Sequence, residues 1–177
     1  MDQIIYEGQA YYRTGKQWAD SRHIIVCDEL QHELNAAFLQ TLDLEQYSNW
    51  DLIRLADQCK ASASVFDAIR LYKRVLSRGD AADYATVLPR LTSCYRVQGQ
   101  PKKAIDLAIE ASKRFGSGIL EPMALTSIAA AYCDLNDWKR ARKCADRAFA
   151  EWHGKASPEL RAVYERIRLN TEGKRER

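Results

Sequence analysis

No stretch of this chain approaches the ~20 consecutive apolar residues needed to cross a bilayer. The opening Met1-Asp2-Gln3-Ile4-Ile5-Tyr6-Glu7 lacks the basic start and apolar stretch of a signal peptide, so a cytoplasmic location is expected. Cysteine is sparse and unpaired: Cys27, Cys59, Cys94, Cys133 and Cys144 are odd in number and never form Cys-x-x-Cys. That argues against a disulfide framework. Three of them lie among small and apolar residues in helical patterns and read as buried packing thiols in a reducing compartment. Histidine is equally scarce. His23 and Cys27 are spaced for one helical face, but a closed zinc site needs four ligands, and neither His32 nor His153 has a cysteine at finger spacing. His-Glu-x-x-His, a phosphate loop and a Gly-rich dinucleotide fingerprint are all missing. Adjacent carboxylates such as Asp28-Glu29 face different ways on a helix and read as solvated surface. No catalytic residue, metal ligand or cofactor is expected, and the chain reads as a non-enzyme.

Lysine and arginine are absent between His23 and Ile53, where six acids stand: Asp28, Glu29, Glu33, Asp43, Glu45 and Asp51. Residues 54–177 hold 24 bases and 15 acids. The chain is electrically polar although its net charge is only +3.

What the sequence does contain is periodicity. With 46% apolar and 29% charged residues in 177, the balance is that of a globular chain with a buried core. Ala68, Tyr72 and Val75 recur as Ala104, Ala108 and Ala111, then as Ala141, Ala145 and Ala148, at intervals of 36 and 37 residues. Within each set the spacings are four and three, which is helical. Nine residues before each leading alanine stand Cys59, Tyr95 and Tyr132, preceded by Leu52-Leu55-Ala56, Leu88-Leu91-Thr92 and Leu125-Ile128-Ala129. Each unit is thus two helices, and the marks between them suit a tight turn. Ser64 is expected to cap one second helix, with Asp67 three residues on; Gly99 and Pro101 end and start helices, as do Asn136 and Asp137. The small alanines let the paired backbones approach closely.

This pattern resembles the tetratricopeptide repeat (TPR) family over residues 50–152, with units two or three residues longer than the family's usual ~34. The resemblance implies an all-α fold, a right-handed α-solenoid of about four helical hairpins with a C-terminal capping helix. Residues 1–32 are expected to form a degenerate first helical repeat, since Gly8, Tyr11, Tyr12 and Gly15 are followed by Trp18 and a helical stretch through Leu30. Residues 33–49 read as an acidic connecting insert, 153–170 as the capping helix with Leu160, Val163, Tyr164 and Ile167 inward, and 171–177 as a flexible basic tail.

The resemblance also implies a protein-interaction module or adaptor that holds a partner peptide in a concave groove. With Leu52, Leu55, Ala56 and Cys59 inward, the opposite face of the helix carries Trp50, Arg54, Asp57 and Ala61. The later equivalents are Thr86, Arg90, Ser93 and Val97, then Met123, Ser127, Ala130 and Asp134; the first unit contributes Tyr6, Gln9 and Arg13. Arginines beside Tyr6, Trp50 and Met123 suit a partner with carboxylates and an apolar anchor. The family's clamp for chaperone tails uses asparagines in the first two units and Lys with Arg in the third. Here Tyr6, Arg54 and Thr86 depart from that pattern and only Arg90 agrees, so that ligand is disfavoured.

Two other functions are open to such a chain. The basic helix with Lys139, Arg140, Arg142, Lys143 and Arg147 could track phosphates of nucleic acid, but its spread around a solvent side argues for an ordinary outer face. A regulatory or sensor subunit of an enzyme complex is the other. The acidic Leu42-Asp43-Leu44-Glu45-Gln46-Tyr47 is expected either to pack as a short element or to reach a basic groove, its own or a second copy's, as a placeholder ligand or a homodimer contact.

Overall fold

The structure is a computed structural model that describes residues 2–172. Most of that length is helical, and the chain divides into two compact units at Gly79 and Asp80.

The first unit opens with a three-stranded antiparallel meander, β1 (Gln3–Tyr6), β2 (Gln9–Thr14) and β3 (Gln17–Ala19), followed by α1 (Asp28–Gln40) and the hairpin α2 (Asn49–Ala61) and α3 (Val65–Arg78). This corrects the expectation of a helical repeat over 1–32. The physical reason is local. Ile4, Ile5, Tyr11, Tyr12 and Trp18 prefer a pleated surface, and two-residue turns separate them. Glu7 and Gly8 take φ of 50° and 78°, the left-handed pair of a type I′ turn. Ile4, Tyr11, Arg13 and Trp18 are buried, whereas Ile5 is 72% exposed.

Leu34 of α1 closes the inner face of the meander, with Leu30, Ala37 and Phe38 packed against it. Polar groups finish the joint. The Trp18 backbone N–H donates to Gln31 Oε1 at 2.8 Å, and Gln31 Nε2 returns a bond to the Trp18 carbonyl at 2.8 Å. Trp18 Nε1 donates to Asn35 Oδ1 at 2.8 Å, and Asn35 Nδ2 donates to the hydroxyls of Ser62 and Ser64 at 2.8 and 2.9 Å. The Ser64 side chain is therefore engaged by Asn35 and makes no cap bond to α3, contrary to its expected role.

The expected boundary between residues 32 and 33 falls inside α1, so the connecting segment is 41–48. Its Glu45 pairs with Arg74, and Arg78 donates to the Tyr47 carbonyl and, at 2.7 Å, to Asn49 Oδ1. Leu42, Leu44 and Tyr47 are half-buried. The segment packs on its own hairpin, as the reading of it as a short packed element expects.

The second unit contains α4 (Ala81–Val97), α5 (Pro101–Phe115), a 3-10 turn (Ser117–Ile119), α6 (Pro122–Asp134), α7 (Trp138–Glu151) and α8 (Pro158–Glu172). All nine recurring positions of the second helices, Ala68 to Ala148, are buried, as are their facing leucines and isoleucines. Leu160, Val163 and Ile167 of α8 cover α6 and α7, as a closing helix requires. Of the expected basic tail, residues 171 and 172 continue α8; the rest lies outside the described residues.

The repeat also shows in the backbone. Ala63, Gly99 and Asn136 stand at φ of 60°, 67° and 59°, and the amide N–H that follows each donates to the Cys59, Tyr95 and Tyr132 carbonyls at 2.8, 2.8 and 2.9 Å. This is one helix-ending motif three times over, and the residue in the left-handed region is most often glycine. Alanine meets a steric cost there that glycine does not. Ala63→Gly is expected to stabilise the chain by about 0.5–1 kcal/mol in urea melts. Ala68→Gly, buried in the interior of α3, should do the reverse by about 1 kcal/mol or more.

Candidate interaction surface

Among the described residues no group of three or more His, Cys, Asp or Glu is placed to hold a metal ion, and no helix is long and apolar enough to cross a membrane. His23 lies in a turn at φ 63° and Cys27 is the residue before α1, so the two do not share a helical face. Cys59, Cys94 and Cys133 are buried, and burial pushes the Cys59 thiol up to about 12, far from the range of a reactive thiolate.

The first-unit residues Tyr6, Gln9 and Arg13 do not form a helical face. The Tyr6 hydroxyl donates to Glu33 at 3.2 Å, Gln9 accepts from the Tyr11 hydroxyl at 2.9 Å, and Arg13 is only 6% exposed. The Arg13 guanidinium sits 4.2 Å from the Trp18 ring centre and donates to Asn35 at 3.2 Å. Burial lowers its pKa. This arginine belongs to the core of the first unit, on a strand where helical spacing does not apply.

In the α2–α3 hairpin the outward face is as expected: Trp50 is 68% exposed, and Arg54 is exposed with a pair to Asp51 at 3.7 Å. Asp57 accepts a hydrogen bond from the Tyr72 hydroxyl at 2.5 Å, so it ties the two helices of its own hairpin.

In the second unit α4 and α6 lie side by side. Val97 and Met123 are exposed, Thr86, Arg90, Ser93 and Ser127 are half-buried, and Ala130 is buried, a correction to its outward placement. A hollow of about 360 Å³ is lined by Ala85, Pro89 and Arg90 of α4 and by Glu121, Met123 and Ala124 at the start of α6. Arg90 Nη1 donates to the Thr86 carbonyl at 2.6 Å, which lays the guanidinium along α4. Pro89 has no N–H for the Ala85 carbonyl one turn earlier, and both residues line the hollow. The site thus combines a cation, a thioether and a backbone acceptor without its usual helical donor. Pro89 is the sequence signal for this hollow, and repeat phase alone gives it no weight.

Asp134, at the C-terminal end of α6, is a structural hub. It accepts from Arg96 of α4 at 2.6 Å and from Arg166 of α8 at 2.9 Å. Burial pushes its carboxyl up, but the two arginines outweigh burial and hold it below the usual carboxylate range. A depressed folded pKa contributes stability above the unfolded value, near 4, and that contribution is lost as pH falls through the folded pKa. Asp134→Asn is therefore expected to melt below the parent at pH 7, with the gap closing on acidification below about pH 4.

No family model matches the chain, and no curated protein sequence does. Among solved structures the chain is similar to the TPR domain of Sgt2 from Aspergillus fumigatus, at TM-score 0.64 and 20% identity, covering 73% of this chain and 82% of that one. The likeness establishes a TPR-like helical-repeat fold.

Proposed function

We propose that the chain is a protein-interaction module and that, in each of its two units, the exposed face of the first helix of a hairpin is a surface for a partner. The observation that carries this reading is the hollow of α4 and α6, where Arg90 and Met123 stand together beside Ala85 and Ala124. The partner segment is acidic with an apolar anchor: a carboxylate meets Arg90, and the anchor packs on Met123, whose flexible thioether adapts to varied shapes. On the first unit, Trp50 and Arg54 offer the same pairing of an exposed apolar side chain with a cation. Tyr6, Gln9, Arg13 and Asp57 have structural partners and are left out of the surface; Ser93 and Ser127 remain as polar neighbours of Arg90 and Met123 on their helices.

Nucleic-acid binding through α7 has less support. Arg140, Arg142 and Arg147 pair with Asp137, Asp146 and Glu151 at 3.1, 3.0 and 2.7 Å, so much of the basic charge is answered locally. Affinity purification of tagged chain, parent against Arg54→Glu/Arg90→Glu, with mass spectrometry tests the proposal. A partner retained by the parent and lost by the variant is the expected result; an unchanged set of retained proteins contradicts it.

A further inference from the structure

A second surface lies elsewhere on the second unit, where α5 and α7 flank α6. Two adjoining hollows, of about 320 and 650 Å³, share Ile105, Ile109 and Tyr132 and so make one trough. The inner part is apolar, lined by Leu125 and Ile128 of α6. Ile109 on its wall is 46% exposed. Leu120, which follows the 3-10 turn, lines the first hollow, and Lys102 and Arg140 line the second.

We propose that this trough docks an amphipathic helix of a partner protein, with its apolar stripe on Ile105, Ile109 and Tyr132 and acidic residues along its flanks. The charge of the rims carries the choice of partner. Lys102 and Lys113 stand on the α5 wall and form no ion pair among the described residues; Arg140 stands opposite, while the acids of the lining are Asp106 and Asp137. Asp137 is already engaged, capping α7 through the Arg140 N–H at 3.0 Å and pairing with the Arg140 side chain. Asp106 stands on the same wall as Lys102 and Lys113, which leaves that wall one positive charge in surplus for a flanking carboxylate to meet, and this steers and orients the partner. The walls also choose the conformation. Both are helices whose backbone groups are bonded internally, so an extended strand would find no ladder here, whereas a helix satisfies its own backbone and needs only side-chain contact. From Lys102 to Lys113 the wall runs about 16 Å, room for roughly three turns. This surface is independent of the Arg90 and Met123 face, and either can fail without the other.

The test uses the full chain and a synthetic peptide of about fifteen residues, with leucines at helical spacings of three and four and glutamates on the flanks. Fluorescence anisotropy reads binding, and the alkylation rate of Cys144, which lines the trough, reads the place, with exposed Cys27 as the internal reference. The parent chain is expected to bind and Cys144 to be protected relative to Cys27. Ile109→Glu, and separately Lys102→Glu/Lys113→Glu, should each weaken binding roughly tenfold or more, and a peptide with lysines on the flanks should regain affinity for the second variant. Lys155→Glu, a charge reversal at an exposed residue outside the trough lining, should bind as the parent does. The proposal is overturned if the parent does not bind, if Ile109→Glu and the lysine variant bind unchanged, if a peptide with alanines for leucines binds equally, if Cys144 is unprotected, or if Lys155→Glu alone removes binding. Sedimentation showing a dimer dispersed by Ile109→Glu would assign the trough to a second copy and overturn it as well.

Discussion

Arg54→Glu/Arg90→Glu is expected to weaken binding of the physiological partner about a hundredfold, equal to ~2.7 kcal/mol, while the melting temperature stays nearly unchanged. The size follows from charge reversal. Each substitution removes a cation that grips a carboxylate and puts a like charge in its place, which costs more than truncation alone. The small effect on folding follows from the environment. Arg54 is exposed and its pair with Asp51 at 3.7 Å is a surface pair, of the kind that contributes about 0–1 kcal/mol. Arg90 loses a bond to a carbonyl of its own helix. Titration calorimetry and thermal melts on the same samples separate the two effects, and raising salt should shrink the difference between parent and variant by screening.

Trp18→Ala is expected to destabilise the first unit by about 3–5 kcal/mol, the range for losing a large buried aromatic side chain. Trp18 is fully buried, and its ring is the surface on which the Arg13 guanidinium and the Phe38 ring rest, the latter at 5.3 Å between centres. Its indole N–H also donates to Asn35, which continues the chain of bonds to Ser62 and Ser64. Removing the ring leaves both a cavity and a less well satisfied buried guanidinium, whose Nε and Nη2 have no hydrogen-bond partner among the described residues. Hydrogen exchange should show α1 amides losing protection first, because α1 is held to the sheet through this side chain. Equal loss of protection throughout α4 to α8 would contradict that assignment.

The three hairpins and the closing helix are legible because one physical signal repeats: alanine at the helix crossing, a large side chain opposite, a turn between. Burial of Ala68, Ala104 and Ala141 follows directly from it. The meander is not legible to the same reasoning. Gly8, Tyr11, Tyr12 and Gly15 bear a likeness to a repeat, yet Glu7-Gly8 and Gly15-Lys16, each between runs of strand-forming residues, are hairpin turns. The inward set of Ile4, Tyr11, Arg13 and Trp18 only emerges once those turns are placed. Arg13 then passes from a surface to a core, a change no composition rule announces, because buried arginine depends on a ring and an amide brought from other elements. Ser64 shows the same limit at smaller scale: a good cap residue by type, it is taken by Asn35 from α1.

On the surface, helical phase places Trp50, Arg54 and Met123 outward correctly, but does not show that Asp57 and Asp134 are held by Tyr72, Arg96 and Arg166. Those bonds join separate helices. Pro89 is the converse case, visible in the sequence and meaningful only beside the hollow it lines.

The most direct measurement is photo-crosslinking from position 123 in cells, with a crosslinking residue in place of Glu165, exposed on α8, as the comparison. A protein adduct formed from position 123, absent from position 165 and lost when Arg90→Glu is added, is the result the account predicts; adducts from 165 alone, or adducts from 123 indifferent to Arg90→Glu, would contradict it.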